Sequence, residues 1–247
     1  MDLDAPSRHV THDLVFNLRD LGGYRTVDGH TTRWGQLYRG DGLHRLGPAD
    51  CSALGLVTVL DLRTEREIAE RGRLDVDGID WHHLPVLQET WDPTWATPEV
   101  AAERFLADRY LTMLAEGEEA LGRALNVLAD ADRLPAAFHC AAGKDRTGVL
   151  AALVLALLGV DDDTIAADYG LSRLGMDRLV EWVRATYPER ADSMSDQPKA
   201  FLEAPDDAMH LFLADLRGMH GTVEAYCESV GAGPAVVDSL RANLLQP

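Results

Sequence analysis

Residues 134 to 158 constrain this chain more than any other stretch. A short apolar run ends in His139-Cys140, five residues intervene before Arg146-Thr147, and an apolar helical run continues to Leu158. That order predicts a strand over 134–140, a tight loop, and a helix opening at Thr147. Backbone N–H groups of such a loop converge on one point, and the helix dipole adds positive potential there. A phosphate dianion fits the position, and the same field favours a cysteine thiolate. An arginine six residues after the cysteine can turn its fork back onto two phosphate oxygens. The chemistry implied is attack by sulfur on phosphorus.

A buried cysteine at a strand end is more often an inert small hydrophobe, and Gly-Lys-Asp more often a simple turn. The His-Cys pair, the fixed spacing to Arg146, Gly143 and the helix-opening Thr147 occur together, and that combination outweighs the structural alternative. An ATP-type phosphate loop is excluded, because G-x4-G-K-[S/T] occurs nowhere in the chain.

His139 to Thr147 resembles the signature of the cysteine-dependent protein-tyrosine and dual-specificity phosphatases. The fuller string His-Cys-Ala-Ala-Gly-Lys-Asp-Arg-Thr-Gly resembles their bacterial PtpB-like branch. Asn17 to Gly23 looks like that branch's N-terminal motif, Val59 to Glu65 like its second, and Tyr38-Arg39-Gly40-Asp41 fits between them. The resemblance implies action on phosphotyrosine, phosphoserine/threonine and phosphoinositides. It also implies helices that cover the active site, here an expected lid over about 170–220.

Within this frame Cys140 is the expected nucleophile and Arg146 the expected clasp on the phosphoryl oxygens. The N–H groups of Ala141, Ala142, Gly143, Lys144, Asp145 and Arg146 complete the substrate cradle. Thr147 is expected to donate its hydroxyl to the departing thiolate, to cap the helix, or both. His139 orients the loop. The proton donor is open. Many dual-specificity relatives carry an aspartate where this chain has Gln88, and Glu89 and Asp92 lie near but out of register. Asp145 ranks first, Asp61 second and Asp92 third, with Asp61 alternatively an anchor for Arg146. Lys144 either holds additional ring phosphates, as in phosphoinositide phosphatases, or is an exposed turn lysine balancing Asp145. No clustered ligand spacing argues for a metal, the adjacent His82 and His83 facing opposite ways on a strand. No cofactor is expected.

The net charge of −18 repels nucleic acid and anionic membrane surfaces. The expected partners are therefore phosphorylated protein or phospholipid substrates met at the loop. No segment reaches the ~18 apolar residues of a membrane span, and the N-terminus has no signal-peptide pattern. Three cysteines, Cys51, Cys140 and Cys227, suit a reducing cytoplasm, with signal-independent secretion left open.

The length of 247 residues suits one α/β domain. Residues 1–12 read as a disordered or extended arm and 13–247 as a single phosphatase domain. Strands are expected over 57–62, 81–86 and 134–140. Helices are expected over 48–54, over 99–131 with a break near Gly117, within 161–190, and again from Ala208. Strands alternating with helices argue for a mostly parallel sheet, hence a three-layer α/β phosphatase fold flanked by helices. Residues 87–98, with Trp91 and Trp95, form either a loop pinned by aromatic packing or a flap beside the site. A catalytically silent phosphate-binding module and a rhodanese-type sulfur transferase are the alternatives. The first would need the loss of Cys140 or Arg146, and the arginine spacing disfavours the second.

Overall fold

The structure is a computed structural model that describes residues 8–97, 99–188 and 197–247. Its centre is a five-stranded sheet in the order β1 (Arg19–Asp20), β3 (Leu37–Asp41), β6 (Ala136–Cys140), β4 (Thr58–Asp61), β5 (Asp80–His83). Only β1 runs antiparallel to its neighbour. A second small sheet pairs β2 (Thr31–Thr32) with β7 (Leu245–Gln246).

Side-chain alternation along the strands divides the interior in two. Tyr38, Val59 and Ala137 point into one core with Val15, Cys51, Leu56 and Leu74. Leu37, Leu60, Ala136 and Phe138 point into the larger one, which the long helices complete. The smaller core includes Cys51 of α1 (Pro48–Ala53), and α2 (Glu65–Arg71) follows β4. The helices of the larger core are α3 (Ala102–Glu116), α4 (Glu118–Leu128), α5 (Asp145–Leu158) and α6 (Asp162–Gly170). After α7 (Ser172–Thr186) and α8 (Lys199–Leu202), the chain adds α9 (Asp206–His220), α10 (Val223–Ser229) and α11 (Pro234–Leu244). The result is three layers: helix, mostly parallel sheet, helix.

α5 is apolar nearly all round because it lies between the sheet and outer helices, not at the surface. The helix pair expected over 99–131 is present, broken at Gly117. The structure adds detail to the sequence reading at three places. From Arg8 onward the arm is tied down, with Val10 N–H donating to Leu18 at 3.0 Å and the Arg8 guanidinium donating to the Asp20 and Gly22 carbonyls; residues 1–7 lie outside the described residues. Tyr38-Arg39-Gly40-Asp41, noted only as a motif, is most of an interior strand. The expected lid range includes α9, whose Met209, Phe212, Leu213 and Leu216 are fully buried core, which leaves α7 and α8 as its surface part. Part of that range, 189–196, also lies outside the described residues. No helix among the described residues is long and apolar enough to cross a membrane.

Candidate active site

Cys140 ends β6, 2% exposed, with Asp41 of β3 as its register partner. The chain then wraps through Ala141, Ala142, Gly143 and Lys144 into α5. Gly143 sits at φ +68°, and a Cβ there would lie 2.6 Å from the Gly40 carbonyl, so the turn requires glycine. Among the described residues, the N–H groups of these four loop residues make no hydrogen bond outside regular helix or strand. They remain free to meet an anion.

The motifs noted upstream are the loop's supports. Asn17 donates from Nδ2 to the Ala142 carbonyl at 3.2 Å, and Arg39 to the Gly143 carbonyl at 3.1 Å. Asp41 accepts from the Phe16 and Asn17 N–H groups at 2.8 and 2.7 Å, which fixes Asn17 in turn. Behind them Asp168 of α6 takes Arg39 at 2.5 Å, Arg19 at 3.0 Å and the Tyr24 hydroxyl at 2.7 Å. Burial opposes the charge of Asp168, but Arg19 and Arg39 outweigh it and hold the carboxyl far below the usual range.

Arg146, on the first turn of α5, is clasped by Glu67 of α2 through two bonds at 2.5 and 2.9 Å. Burial would weaken the guanidinium's charge, yet the Cys140 sulfur and Glu67 together raise its pKa above its ordinary value. Burial likewise raises Glu67, and the Arg146 pairing reverses this to bring it to about 2. Glu67 was not foreseen. The capping box Thr64-x-x-Glu67 that opens α2 was legible in the sequence, but its reach to Arg146, 79 residues away, was not. Two of the five guanidinium N–H groups face Glu67, which leaves three for a ligand.

The proton-donor candidates separate. Asp145 opens α5 with its side chain 23% exposed; Oδ1 accepts from Tyr110 at 2.8 Å and lies 3.4 Å from the Lys144 ammonium. Asp61 neither faces the loop opening nor anchors Arg146. It is fully buried and its oxygens take Arg63 at 2.8 and 2.6 Å. Burial raises its pKa, and Arg63 more than compensates, so it is held below the ordinary range. Asp92, on an exposed loop, accepts from the Thr94 N–H and hydroxyl, which hold its carboxyl low in a local cap. Gln88 and Glu89 are exposed.

Lys144 lies beside Asp145, as the turn-lysine reading expects, but it is not exposed. It is 1% exposed, and its ammonium donates to the carbonyls of Ala200 and Glu203 at 2.6 and 2.9 Å, fastening the loop to α8. His139 is fully buried, with Nδ1 3.2 Å from the Cys140 carbonyl; burial brings it to about 4, so it is neutral at physiological pH. The Thr147 hydroxyl is buried with no hydrogen-bond partner among the described residues. Trp91 is pinned against Phe105, Tyr110 and Phe201, as the aromatic-packing reading of the 87–98 loop expects. All three cysteines are free and buried. Burial raises Cys51, and pushes Cys227 up to about 12.

Known proteins resemble this chain. The triple specificity protein phosphatase PtpB of Mycobacterium tuberculosis is 32% identical, over 94% of this chain and 97% of that protein. A tyrosine-protein phosphatase of Nostoc commune is 28% identical, over 83% of this chain and 72% of its own. A solved structure of Pseudomonas aeruginosa TpbA aligns with 68% of this chain and 91% of that one, at 19% identity and a TM-score of 0.32. Residues 10–246 match the tyrosine phosphatase family. With a free cysteine, a glycine-turned loop and a clasped arginine inside that match, the chain belongs to the tyrosine phosphatase family.

Proposed function

We propose that the protein is a metal-independent phosphomonoester hydrolase that works through a phosphocysteine intermediate on phosphotyrosine, phosphoserine and phosphothreonine proteins. What carries this reading is the free Cys140 at the end of β6, followed by a glycine-turned loop whose N–H groups have no backbone partner among the described residues and by Arg146, clasped by Glu67. The thiolate attacks phosphorus, and the leaving oxygen takes a proton from Asp145. The free N–H groups of Arg146 and the loop hold the equatorial oxygens while charge redistributes. Water then hydrolyses the S–P bond, and the Thr147 hydroxyl meets the departing thiolate.

The family membership and the names of its relatives support phosphoprotein substrates. Phosphoinositides are a further substrate class to test. The test is metal-free hydrolysis of an aryl phosphate, phosphopeptides and a phosphoinositide panel by wild type and Cys140→Ser. The serine variant should bind phosphate esters yet lose turnover, because its hydroxyl stays protonated where a thiolate forms. Appreciable steady-state hydrolysis by that variant removes Cys140 from the nucleophile's role.

A further inference from the structure

Behind Asp145 stand two tyrosines that the mechanism above does not use. Tyr110 of α3 and Tyr169 of α6 are 0% and 1% exposed, and their hydroxyl oxygens lie 2.6 Å apart. Tyr110 donates to Oδ1 of Asp145 at 2.8 Å. Its only hydrogen can serve one acceptor, so within this chain Tyr169 is the donor to Tyr110. The rings are immobilised: Trp91 stacks on Tyr110 with centroids 6.1 Å apart, while Phe212 and Tyr169 meet it edge-on at 5.9 Å. The Lys144 ammonium approaches the same oxygen, Oδ1, at 3.4 Å. Among the described residues no hydrogen bond engages Oδ2.

We propose that Tyr110, backed by Tyr169, is a positioning residue for the proton donor: it holds Oδ1 of Asp145 so that Oδ2 carries the proton to the leaving oxygen. This rests on the reading of Asp145 as the donor. As the S–P bond forms and the P–O bond breaks, the Oδ2 proton moves to the leaving oxygen and Asp145 becomes a carboxylate. The negative charge that appears is shared with Oδ1, where the Tyr110 O–H already points. A hydrogen bond that strengthens as charge develops lowers the barrier, whereas one of constant strength does not. Fixing Oδ1 also removes rotation about the carboxyl bond from the motions to be frozen at reaction.

The experiment compares Tyr110→Phe, Tyr169→Phe, Asp145→Asn and the Tyr110→Phe/Asp145→Asn pair with wild type. Each is assayed for kcat/KM, which reports the steps through phosphocysteine formation, on a phosphotyrosine peptide and on an activated aryl phosphate. The phenylalanine ring keeps the packing, so only the hydroxyl is lost. Tyr110→Phe should lose about tenfold or more on phosphotyrosine, within the hundredfold that a misplaced group costs. The loss should be small on the aryl phosphate, whose oxyanion leaves unaided. Added to Asp145→Asn, Tyr110→Phe should cost nothing more. Tyr169→Phe should repeat the pattern more weakly, and it carries the test if Tyr110→Phe does not fold. Equal losses on both substrates, or losses that add fully to Asp145→Asn, overturn the proposal and make Tyr110 a packing residue. If Asp145→Asn itself shows no leaving-group dependence, the donor assignment fails first and the proposal falls with it.

Discussion

At the scale of single residues, the consequential pair is Glu67 and Arg146. A guanidinium that must meet a phosphoryl group is useful only if its fork is aimed beforehand, and the two bonds from Glu67 at 2.5 and 2.9 Å aim it. Glu67→Gln keeps the shape but offers one oxygen and an NH2 that repels Arg146. Activity should fall by up to about 10²-fold, the cost of a misplaced group, in kcat as well as KM, measured on a phosphotyrosine peptide. The pair also links stability to pH. Glu67 is depressed from 4.5 to about 2 in the folded state, so its contribution is fully present above its unfolded value and is lost as pH falls through about 2. Urea unfolding of wild type and Glu67→Gln should show a constant stability gap at neutral pH. That gap should narrow as pH drops below 4.5. A gap independent of pH over this window would mean that the carboxylate's charge contributes nothing.

At the scale of elements, α8 depends on the signature loop. It has only four residues, Lys199–Leu202, too few to be stable alone. The Lys144 ammonium binds the carbonyls at 200 and 203, and Phe201 packs on Trp91 and Phe105. Lys144→Met keeps the apolar stem and removes the donors, leaving two carbonyls without their partner. Amide hydrogen exchange should then rise at residues 199–203 by roughly the factor of ten that 1.4 kcal/mol represents, a typical cost for an unsatisfied polar group. β6 and the body of α5 should keep their protection. Unchanged exchange at α8 would show that the aromatic contacts alone hold it. The same contacts explain why the loop with Trp91 and Trp95 packs as a fixed wall at Trp91 while Trp95 stays half exposed.

At the scale of the whole molecule, Asp168 joins parts of the chain 129 to 149 residues apart. It receives the buried Arg19 from β1 and Arg39 from β3, and the hydroxyl of the partly buried Tyr24. Two buried guanidinium groups near one carboxylate leave a net positive site whose balance depends on that carboxylate; burial and the neighbouring Arg19 bring Arg39 down to about 10 even against the pull of Asp168. Asp168→Asn should destabilise the fold by about 3–5 kcal/mol, the range for breaking a buried pair by removing one partner. The measurement is a lower urea midpoint with an unchanged m-value. Because Arg39 also holds the Gly143 carbonyl, the variant should lose activity at temperatures where it is still folded. A loss of less than about 1 kcal/mol would contradict this account of the framework.

The sequence by itself determined the centre of the protein. His139-Cys140, Gly143, Arg146 and the apolar run to Leu158 are local in the chain, so strand, loop and helix N-terminus could be read from spacing alone. The parallel strands at 58–61 and 136–140 and the helix break at Gly117 were legible for the same reason, since each carries its own periodicity or breaker. β3 was not legible as a strand, because Arg39, Gly40 and Asp41 resemble a loop until Asp168 and the 16–17 backbone supply partners for them. The sequence could rank Asp145, Asp61 and Asp92 but could not show what each is bonded to. All three are aspartates near the loop or the strand ends; the structure shows Arg63 and Thr94, each two residues on, occupying the second and third, while Asp145 meets Tyr110 across 35 residues. Lys144, Glu67 and Tyr110 take their roles from partners 35 to 79 residues away. A side chain's chemistry is fixed by its own atoms, but what it does is fixed by what the fold puts within 3 Å of it.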